Sequence, residues 1–585
     1  MQSVLVRIEL RAGDTRKHRT KDGALHFDKL VPVAPANYGE IEGHYSTDGD
    51  ALDALVFAPA PLDLGDTVEA LPVGVLLRPD EDHKVVCVVP GFTLPTDYLE
   101  ELRLFFTALG SRFRSGSEQD LTRVLQEARC RRALPALRLQ PQGNHSHLSG
   151  DGTVLYRATA ELARHFEVHA PHAALRLLSE LPYVRTPLRA FPDLEDERPI
   201  PAGVAVLTDA PYLLPFALGQ SACGFRVITT DLHVDDLRKD TLHRLSRALE
   251  EAVAPDAPDR RALAARMSLE QVLTQGLGAL IEGGLAHPAD AERTEWGGVV
   301  QGASSQFASA AQTQAQKQFA SSGAWGHYLE LASVHDACQN PYGLRTGQVL
   351  LLVHMGGRFV WPAVRDSHLS ALVMAALREG WATPAQVARG QFGVRIDHVA
   401  GAHFLADFRA TLNYAFANRA AMQVLLAQVL QRDFGAQATL LSDNTHVSLD
   451  QVERGGQSLL LHRNGQHWLR PPHGGCTPAG FQASGQPVLL LGAPGVPSVL
   501  LQPHSTATDL ALVAHGIASG PGGTVPQEYP EFEDVLHNTS FRPDPTVART
   551  NLARAITLSE HTHVAAVLRP LANLRASGER SPRHA

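Results

Sequence analysis

The sequence predicts an α+β protein in which a small β-barrel domain precedes a larger mixed α/β domain. At 585 residues the chain is too long for one hydrophobic core, so two or three domains are expected. Short strand-like segments broken by Gly and Pro fill about the first 110 residues, which is typical of a small barrel. From about residue 153 onward, helical patterns alternate with apolar strand-like runs, as in a mixed fold.

The first domain is predicted to span residues 1–110. Residues 111–152 are predicted to form a linker with one helix, 121–134, which ends at Pro135 because proline cannot donate the next backbone hydrogen bond. Residues 140–152 are predicted to be a polar loop that marks the domain boundary. The strands of the first domain are expected at 4–10, 51–57, 67–75 and 84–89, and its helix at 96–109.

The second domain is predicted over residues 153–575. Many of its strand-like runs end in polar or His-containing loops, the usual position of an active site in a mixed fold. The Ala-, Ser- and Gln-rich run 302–318 is predicted to be a mobile surface loop, and residues 576–585 a disordered tail. Helices are expected at 241–253, 269–281, 367–379, 383–389 and 408–432, and strands at 203–208, 226–230, 348–353 and 488–491.

The composition excludes several classes of protein. The formal net charge is −9, so no global positive field indicates nucleic-acid binding, and any such binding needs a local patch. Five well-separated Cys form no CxxC pair, which argues against a disulfide framework and for a reducing compartment. The amino terminus lacks the apolar core of a secretory signal, and no apolar run approaches transmembrane length. A cytoplasmic protein without a membrane partner is therefore expected.

A tight cluster of carboxylates is the first candidate site. Asp48-Gly-Asp-Ala-Leu-Asp53 places three carboxylates within six residues, and Asp80-Glu-Asp-His-Lys84 follows downstream. Carboxylates spaced this closely repel one another unless a multivalent cation neutralises them, so the pattern indicates a divalent-metal site. An oxygen-rich site with a nearby Lys and Tyr suits a phosphate ester or anhydride as substrate.

The second candidate site combines one Cys with several His from distant parts of the chain. A thiolate with imidazoles is a ligand set for a transition metal, either zinc or manganese. Each His alone is more often an ordinary core or surface side chain, but their joint occurrence at strand ends favours a shared site. The fragments are Cys223-Gly-Phe-Arg226, His327-Tyr-Leu-Glu330, Val353-His354 and Asp443-Asn-Thr-His446.

The first 110 residues or so resemble the soluble family I inorganic pyrophosphatases. The motifs that carry the resemblance are Pro35-Ala-Asn-Tyr38-Gly, Asp48-Gly-Asp-Ala-Leu-Asp53, Pro72-Val-Gly-Val and the Asp…Asp…Lys run that ends at Lys84. The resemblance implies that Asp50 orients or deprotonates the attacking water and that Glu9 supports the metal ligands. It further implies divalent-ion ligands, normally for Mg²⁺, at Asp48, Asp53, Asp80 and Asp82, and phosphate contacts from Lys17, Tyr38 and Lys84.

The barrel sequence also departs from this family. Lys17-His-Arg19 stands where the family carries Lys-Tyr-Glu, so a carboxylate linked to the metals has become a cation. Lys29 replaces an Arg and Ala34 replaces a Tyr. Much of the phosphate-binding half is therefore missing while the metal-binding half is kept, and both an active pyrophosphatase and a relict barrel remain open.

Residues 155–575 or so resemble the RtcB family of RNA ligases. Leu412-Asn-Tyr-Ala-Phe-Ala-Asn418-Arg419 is a near-verbatim match to a family motif, and Leu461-His-Arg-Asn-Gly465 and Ala514-His515-Gly516 support it. The resemblance implies that His515 takes GMP as a phosphoramidate, that Glu330 binds the guanine edge and that Asn418 lies near the nucleotide. Metal ligands, for Mn²⁺ or Zn²⁺, are implied at Cys223, His327, His354 and His446.

The ligase-like sequence has departures of its own. Gln220 stands three residues before Cys223 where the family has a metal-binding Asp, and a neutral amide binds a hard dication more weakly. We therefore expect one of two metals to be lost. Gly326 replaces an Asn before His327, and Ser519 replaces an Arg after the nucleophile.

Two hypotheses for function follow. The first is a metal- and GTP-dependent RNA ligase that joins 3′-phosphate or 2′,3′-cyclic phosphate ends to 5′-hydroxyl ends. Guanylylation of His515 releases pyrophosphate, and hydrolysis of that product by the fused barrel would favour the guanylylation step. The alternative is a pseudoenzyme that binds RNA ends, or nucleotide and metal, without turnover.

Overall fold

The computed structural model describes most of the chain. Among the predicted positions, Asp48, Gln220, Gly326, Ser519 and the tail 576–585 lie outside the described residues. The described residues are 2–21, 24–47, 50–109, 111–131, 139–142, 145–148, 153–157, 172–194, 199–218, 222–304, 307, 309–321, 327–338, 340–357, 360–492, 496–507, 510–516, 536–537, 556, 559 and 561–574.

The amino-terminal strands close into a five-stranded barrel, as predicted. Val4–Leu10 pairs with a strand on each side, which joins the two ends of the sheet. Alternate residues of these strands point inward and form an apolar core that includes Val6, Ile8 and Val85. The barrel order is Val4–Leu10, Asn37–Tyr45, Ala51–Phe57, Lys84–Val88 and Thr67–Leu77, with Arg114–Ser115 added beside the last.

Three strands of this region were not predicted. Arg16–Lys21 and Ala24–Leu30 form a separate hairpin whose charged sequence lacks the alternation of a half-buried strand. Asn37–Tyr45 contains two Gly, which weaken a strand pattern. Gly39 is needed there because a Cβ atom at this position would lie 2.0 Å from the carbonyl oxygen of Arg7 on the paired strand.

Two helices pack against the barrel. Tyr98–Ala108 buries Leu102, Phe105 and Phe106, within the helix predicted at 96–109. Glu118–Cys130 begins with a capping box between Ser117 and Asp120 and buries an apolar face in the barrel core. The helix predicted in the linker is therefore part of the barrel's packing, and the domain boundaries themselves stay a prediction.

The larger region contains two large sheets in the part that the structure describes. The first runs Ala438–Thr445, Gly224–His233, Gln348–Met355, Tyr328–Asp336, Thr562–Leu574, Ser498–Pro503 and Val488–Leu490, with Leu536–His537 beside Thr562–Leu574. The second runs Val447–Arg454, Gln457–Asn464, Val204–Asp209, Val184–Ala190, Val154–Tyr156, His145–Leu148 and Leu139–Gln142. In the described part of this region two short pairs are also present, Tyr212–Leu213 with Val394–Arg395 and Gln466–Trp468 with Leu512–Ala514.

The prediction of a polar loop over residues 140–152 is wrong for the part that is described. Leu139–Gln142 and His145–Leu148 form a hairpin, and the second of them pairs with Val154–Tyr156. The polar sequence gives no apolar alternation, because these strands owe their pairing to backbone hydrogen bonds at the end of a sheet. Sequence periodicity could not reveal them.

A 36-residue helix, Val399–Phe434, is the central element of the larger region. His398 caps its start by accepting a hydrogen bond from the Ala400 N–H, and Gly435 ends it with a left-handed backbone at φ +66°. The helix predicted at 408–432 is thus longer at both ends. Among the described residues after 153, the other helices are His172–Ser179, Lys239–Ala252, Pro258–Ala265, Leu269–Gln275, Leu277–Glu282, Ser309–Gln318, Val360–Arg378 and Pro384–Ala388, with 3₁₀ turns at Pro215–Ala217, Val234–Asp236, Pro288–Arg293, Glu295–Gly298 and Ala479–Phe481.

One helix prediction and one loop prediction are corrected by the structure. The single helix predicted at 269–281 is two helices, because Gly276 adopts φ +53° and a Cβ there would lie 2.3 Å from the Gly298 carbonyl oxygen. The predicted mobile loop 302–318 contains the helix Ser309–Gln318, which buries Ala311 and Ala315. Its Ala- and Gln-rich sequence has high helix propensity, which the low-complexity interpretation overlooked.

The barrel and the larger region touch at a defined point. Arg389, which follows the helix Pro384–Ala388, donates a hydrogen bond from Nη1 to the backbone carbonyl oxygen of Asp80 at 3.2 Å. The same guanidinium lies 4.0 Å from the Glu81 carboxylate. In the part of the chain that the structure describes, none of the helices is long and apolar enough to cross a membrane.

Candidate active sites

The Cys/His cluster lies where three neighbouring strands of the first large sheet end. Cys223 precedes Gly224–His233, and the strand Gln348–Met355 places His354 opposite Phe225. On the other side, Thr445 lies opposite Gly224, so His446 follows directly beside Cys223. Hydrogen bonding of the strands therefore brings together side chains from widely separated parts of the sequence.

The distances within this cluster fit a shared metal ion. Cys223, His354 and His446 present ligand atoms that all lie within 4.8 Å of one another. His327 adds its Nε2 3.0 Å from the Cys223 Sγ, and the Nε2 atoms of His354 and His446 are 3.2 Å apart. Two nitrogens bound tetrahedrally to zinc at about 2.0–2.1 Å would be separated by roughly 3.3 Å. The donor atoms of Cys223, His354 and His446 thus lie close together with His327 beside Cys223, and their role as metal ligands stays a prediction.

The protonation of His446 also suits metal binding. Burial, together with the nearby imidazoles of His515 and His354, holds the pKa of His446 well below its ordinary value. The ring is therefore neutral near pH 7, and neutral imidazole is the form that binds a metal. Its Nδ1 atom is buried without a hydrogen-bond partner.

His515 lies beside this cluster with its tautomer fixed. Its Nδ1 is 2.6 Å from the Asp193 carboxylate and 2.9 Å from the Gly465 carbonyl oxygen. Both partners only accept hydrogen bonds, so Nδ1 carries the proton and, in the neutral ring, Nε2 carries the lone pair. The ring stacks on His446 with centroids 4.3 Å apart. The Nε2 lone pair of His515 therefore lies beside the Cys/His cluster.

Buried ion pairs hold the strand ends that carry the ligands. Asp443 accepts hydrogen bonds from Arg226 and from Arg419, each at 2.9 Å. Burial alone would raise the pKa of Glu295, but Arg463 and Arg470 hold it below its usual value. Charged Glu295 also accepts the Thr445 N–H at 2.9 Å, one residue before His446. These buried pairs fix the position of the backbone around His446 by hydrogen bonds to its neighbouring residues.

The barrel gathers its own predicted site residues at one place. Lys84 is buried and its Nζ contacts the carboxylates of Asp53 and, at 2.6 Å, Asp82. The Lys17 ammonium lies 4.6 Å from the centre of the buried Tyr38 ring. The structure therefore brings together Asp53, Asp80, Asp82, Lys17, Tyr38 and Lys84. Asp50, at the start of the strand Ala51–Phe57, lies near enough that burial, and then the charges of Asp53 and Asp82, raise its pKa.

The electrostatics of the barrel site divide it into two halves. Burial, and then the charges of Glu9 and Asp53, raise the pKa of Glu40 to about 8. The pKa of Glu9 is raised as well, mainly by burial. Carboxylates crowded in this way fit a divalent cation. In the other half, Arg78 contacts Asp80 at 2.8 Å and Asp82 at 2.7 Å, so these two carboxylates already have a cationic partner.

Comparison with known proteins identifies the larger region. The sequence model of the tRNA-splicing ligase RtcB family matches residues 174–519, more than half of the chain. The chain belongs to the RtcB family. The model of the inorganic pyrophosphatase family matches residues 6–103, so a pyrophosphatase domain precedes the RtcB domain. Both resemblances found in the sequence are confirmed.

Two curated relatives agree with the RtcB assignment, and solved inorganic pyrophosphatases are also similar to this chain. The RNA-splicing ligases RtcB of Mycobacterium bovis and Mycobacterium tuberculosis are each 28% identical over 356 residues, which cover 58% of this chain and 81% of the relative. Solved inorganic pyrophosphatases from Neisseria gonorrhoeae and Thermus thermophilus are each 25% identical. Each alignment covers 22% of this chain and 89% of theirs, with a TM-score of 0.20.

The two predicted nucleotide-binding residues of the RtcB domain are engaged within the fold. Glu330 is buried and accepts a hydrogen bond from Asn573 at 2.9 Å. Asn418 is buried in the long helix, where it accepts the Ala320 N–H at 2.6 Å and lies 3.5 Å from the Met355 sulfur. Their contacts with a nucleotide stay predictions.

Three residues of the RtcB site were given no role from the sequence. Asp193 belongs to the supporting Phe-Pro-Asp motif, but its contact with His515 spans 322 positions and depends on the fold. Phe225 is a core aromatic whose ring packs beside four imidazoles. His467 is the third residue whose ring position the fold reveals, and it contacts the Phe225 ring. Its sequence signal is its place two residues after Gly465, the end of a recognised motif.

Proposed function

We propose that this protein is a metal- and GTP-dependent RNA ligase of RtcB type that joins 3′-phosphate or 2′,3′-cyclic phosphate ends to 5′-hydroxyl ends. The observation that carries the proposal is the state of His515. Its Nδ1 proton is held by Asp193 at 2.6 Å, so Nε2 carries the lone pair, and the ring stacks on the predicted ligand His446. A neutral imidazole oriented in this way is a nucleophile suited to a phosphoryl centre.

The first step would be attack by the Nε2 lone pair of His515 on the α-phosphorus of GTP. An N–P bond forms, the bond from that phosphorus to the bridging oxygen breaks, and pyrophosphate leaves. The Nδ1 proton stays on the ring, and Asp193 stabilises the resulting positive charge. A Mn²⁺ or Zn²⁺ ion held by Cys223, His327, His354 and His446 would neutralise triphosphate charge.

The later steps transfer the guanylyl group to RNA. An oxygen of the RNA 3′-phosphate attacks the phosphorus bound to His515, and the imidazole leaves with its lone pair on Nε2. A 2′,3′-cyclic phosphate end would first be opened by water to the 3′-phosphate. The 5′-hydroxyl of the second RNA end then attacks the activated 3′-phosphate, its proton passes to solvent, and GMP leaves. Glu330 and Asn418 are proposed to contact the guanine nucleotide.

The barrel is proposed to hydrolyse the released pyrophosphate with Mg²⁺. Asp48, Asp53, Asp80 and Asp82 would hold the ions, Asp50 would orient or deprotonate the water, and Lys17, Tyr38 and Lys84 would bind phosphate oxygens. The raised pKa values of Glu9 and Glu40 support a cation here. The ion pairs of Arg78 favour the relict barrel as the alternative.

Guanylylation of the purified protein tests the ligase proposal. Incubation with labelled GTP and Mn²⁺ should give an acid-labile covalent adduct, and His515→Ala should abolish it without changing metal content. His504→Ala, at an exposed His outside the cluster, is the matched control and should keep the adduct. If wild-type protein forms no adduct with any nucleotide, binding without turnover becomes the better account.

A further inference from the structure

The hairpin beside the barrel has a positively charged face that the proposed chemistry uses only in part. Lys17 and Lys29 lie directly opposite each other on its two strands, and Arg19 is two residues after Lys17. Alternate residues of a strand, and residues directly opposite across a pair, share one face. These three side chains therefore form a cationic face, of which only Lys17 has a role in the proposed hydrolysis.

The other face of the hairpin is aromatic. The Arg16 guanidinium lies 5.1 Å from the centre of the exposed Phe27 ring, and His18 packs edge-to-face on the same ring at 6.2 Å. Arg16 and His18 alternate with Lys17 and Arg19 along the strand, so they point to the opposite side. Arg16 is therefore a cation of the same strand that does not belong to the cationic face.

Arg19 lies close to the carboxylates of the barrel site. The Thr20 N–H, one residue after Arg19, donates a hydrogen bond to the buried Glu9 carboxylate, which fixes the hairpin against the barrel. The Arg19 guanidinium is 3.7 Å from the Asp28 carboxylate. Burial raises the pKa of Asp50, and the charge of Arg19 opposes this increase. Arg19 is therefore within electrostatic range of the residue that is proposed to activate water.

The substitution at Arg19 changes the charge of the site by as much as a metal ion would. A guanidinium in place of a carboxylate changes the local charge from −1 to +1, a difference equal to the charge of one Mg²⁺ ion. The guanidinium is a permanent cation, and its planar N–H groups match the geometry of phosphate oxygens. Arginine at this position supplies positive charge and hydrogen bonds that otherwise need a metal ion and its ligand.

We propose that Arg19 binds a phosphate oxygen of pyrophosphate in the barrel site and takes the place of one Mg²⁺ ion. Lys29, on the same cationic face, adds to the positive potential that attracts the anion. This inference rests on the proposed binding of pyrophosphate by the barrel but not on its hydrolysis. Binding of an analogue that cannot be hydrolysed is measured without turnover.

Binding of methylenediphosphonate, whose P–C–P bridge resists hydrolysis, tests the proposal on the full chain. In the presence of Mg²⁺, Arg19→Met should weaken binding about tenfold in a calorimetric titration, because a charge-assisted hydrogen bond is lost. Arg19→Lys should keep part of the affinity, since the charge stays while the planar fork is lost. Arg16→Met, on the aromatic face of the hairpin, should bind the analogue as the wild type does. Circular dichroism of each variant establishes that it is folded.

Arg19→Glu separates a direct role of the cation from a structural one. Its carboxylate should let the analogue bind with about one more Mg²⁺ ion, seen as a steeper dependence of analogue affinity on Mg²⁺ concentration. Unchanged analogue affinity in folded Arg19→Met, or the same Mg²⁺ dependence in Arg19→Glu and wild type, would overturn the proposal. A loss of analogue affinity in Arg19→Met, in a protein whose wild type releases no phosphate from pyrophosphate, would support Arg19 as a phosphate-binding residue while rejecting hydrolysis.

Discussion

Asp193 controls which nitrogen of His515 carries the proton. Asp193→Asn can present an amide N–H to Nδ1, which would move the proton to Nε2 and remove the nucleophilic lone pair. We expect the rate of GMP adduct formation to fall about 10²- to 10⁴-fold, with metal content unchanged. Asp407→Asn is the matched control, because Asp407 forms a similar pair with His368 at 2.8 Å outside the site. A decrease of less than threefold in Asp193→Asn would contradict this role.

Arg78 determines how much of the barrel's carboxylate cluster is available to a cation. Replacing it with Met removes a positive charge within 3 Å of Asp80 and Asp82. Arg78→Met should therefore raise the affinity for Mg²⁺ about tenfold, measured by calorimetric titration of the full chain. Arg103→Met, at an exposed position on the helix Tyr98–Ala108, should have no effect. Unchanged Mg²⁺ affinity in Arg78→Met would show that this guanidinium does not compete with the ion.

The motifs predicted the candidate ligands at the scale of residues, but not their surroundings. Cys223, His354 and His446 each stand in a short motif that the sequence displays directly. Asp193 and Phe225 act through contacts that only the sheet order creates, so no local spacing could have assigned them a role. The ion pairs of Asp443 join strands and helices that are distant in sequence, and the same limit applies to them.

Gly276 separates two helices, and its backbone conformation can be tested by substitution. Gly276→Ala combines a strained φ of +53° with a Cβ 2.3 Å from the Gly298 carbonyl oxygen. We expect a loss of about 2–4 kcal/mol in the free energy of unfolding, seen as a lower melting temperature. Gly284→Ala isolates the strain of the positive φ, since its φ is +65° but no atom lies within 4 Å of the added Cβ. It should lower the free energy of unfolding by only about 1–2 kcal/mol. Equal melting temperatures for the two variants would contradict the close contact.

Periodicity predicted the buried elements well and the exposed or polar ones poorly. The strands Val4–Leu10 and Ala51–Phe57 have the predicted bounds because their apolar residues are packed in the barrel core. Arg16–Lys21 and Leu139–Gln142 are polar strands whose pairing depends on a neighbouring backbone. The helix Ser309–Gln318 buries only two small Ala side chains, too weak an apolar pattern to distinguish it from a loop.

At the scale of the whole molecule, we expect pyrophosphate to link the two domains. The RtcB domain would release it and the barrel would hydrolyse it. Asp50→Asn should abolish pyrophosphate hydrolysis by the full chain and lower the yield of GMP adduct when pyrophosphate accumulates. Adding a separate pyrophosphatase should restore the yield, because it removes the same product. Phosphate release and adduct are measured in parallel, with Asp97→Asn, near the start of the helix Tyr98–Ala108, as the control. Absence of Mg²⁺-dependent phosphate release from wild-type protein would establish the relict barrel instead.

The hydrogen bond between Arg389 and the barrel is made to a main-chain carbonyl, that of Asp80. Every amino acid at position 80 would offer the same oxygen, so this joint does not depend on the carboxylate that the metal would use. The side chains needed for hydrolysis could therefore be substituted during evolution without loss of this contact between the barrel and Arg389. The position of the barrel therefore does not indicate whether it is active. An active barrel and a relict barrel would make the same contact with the RtcB domain.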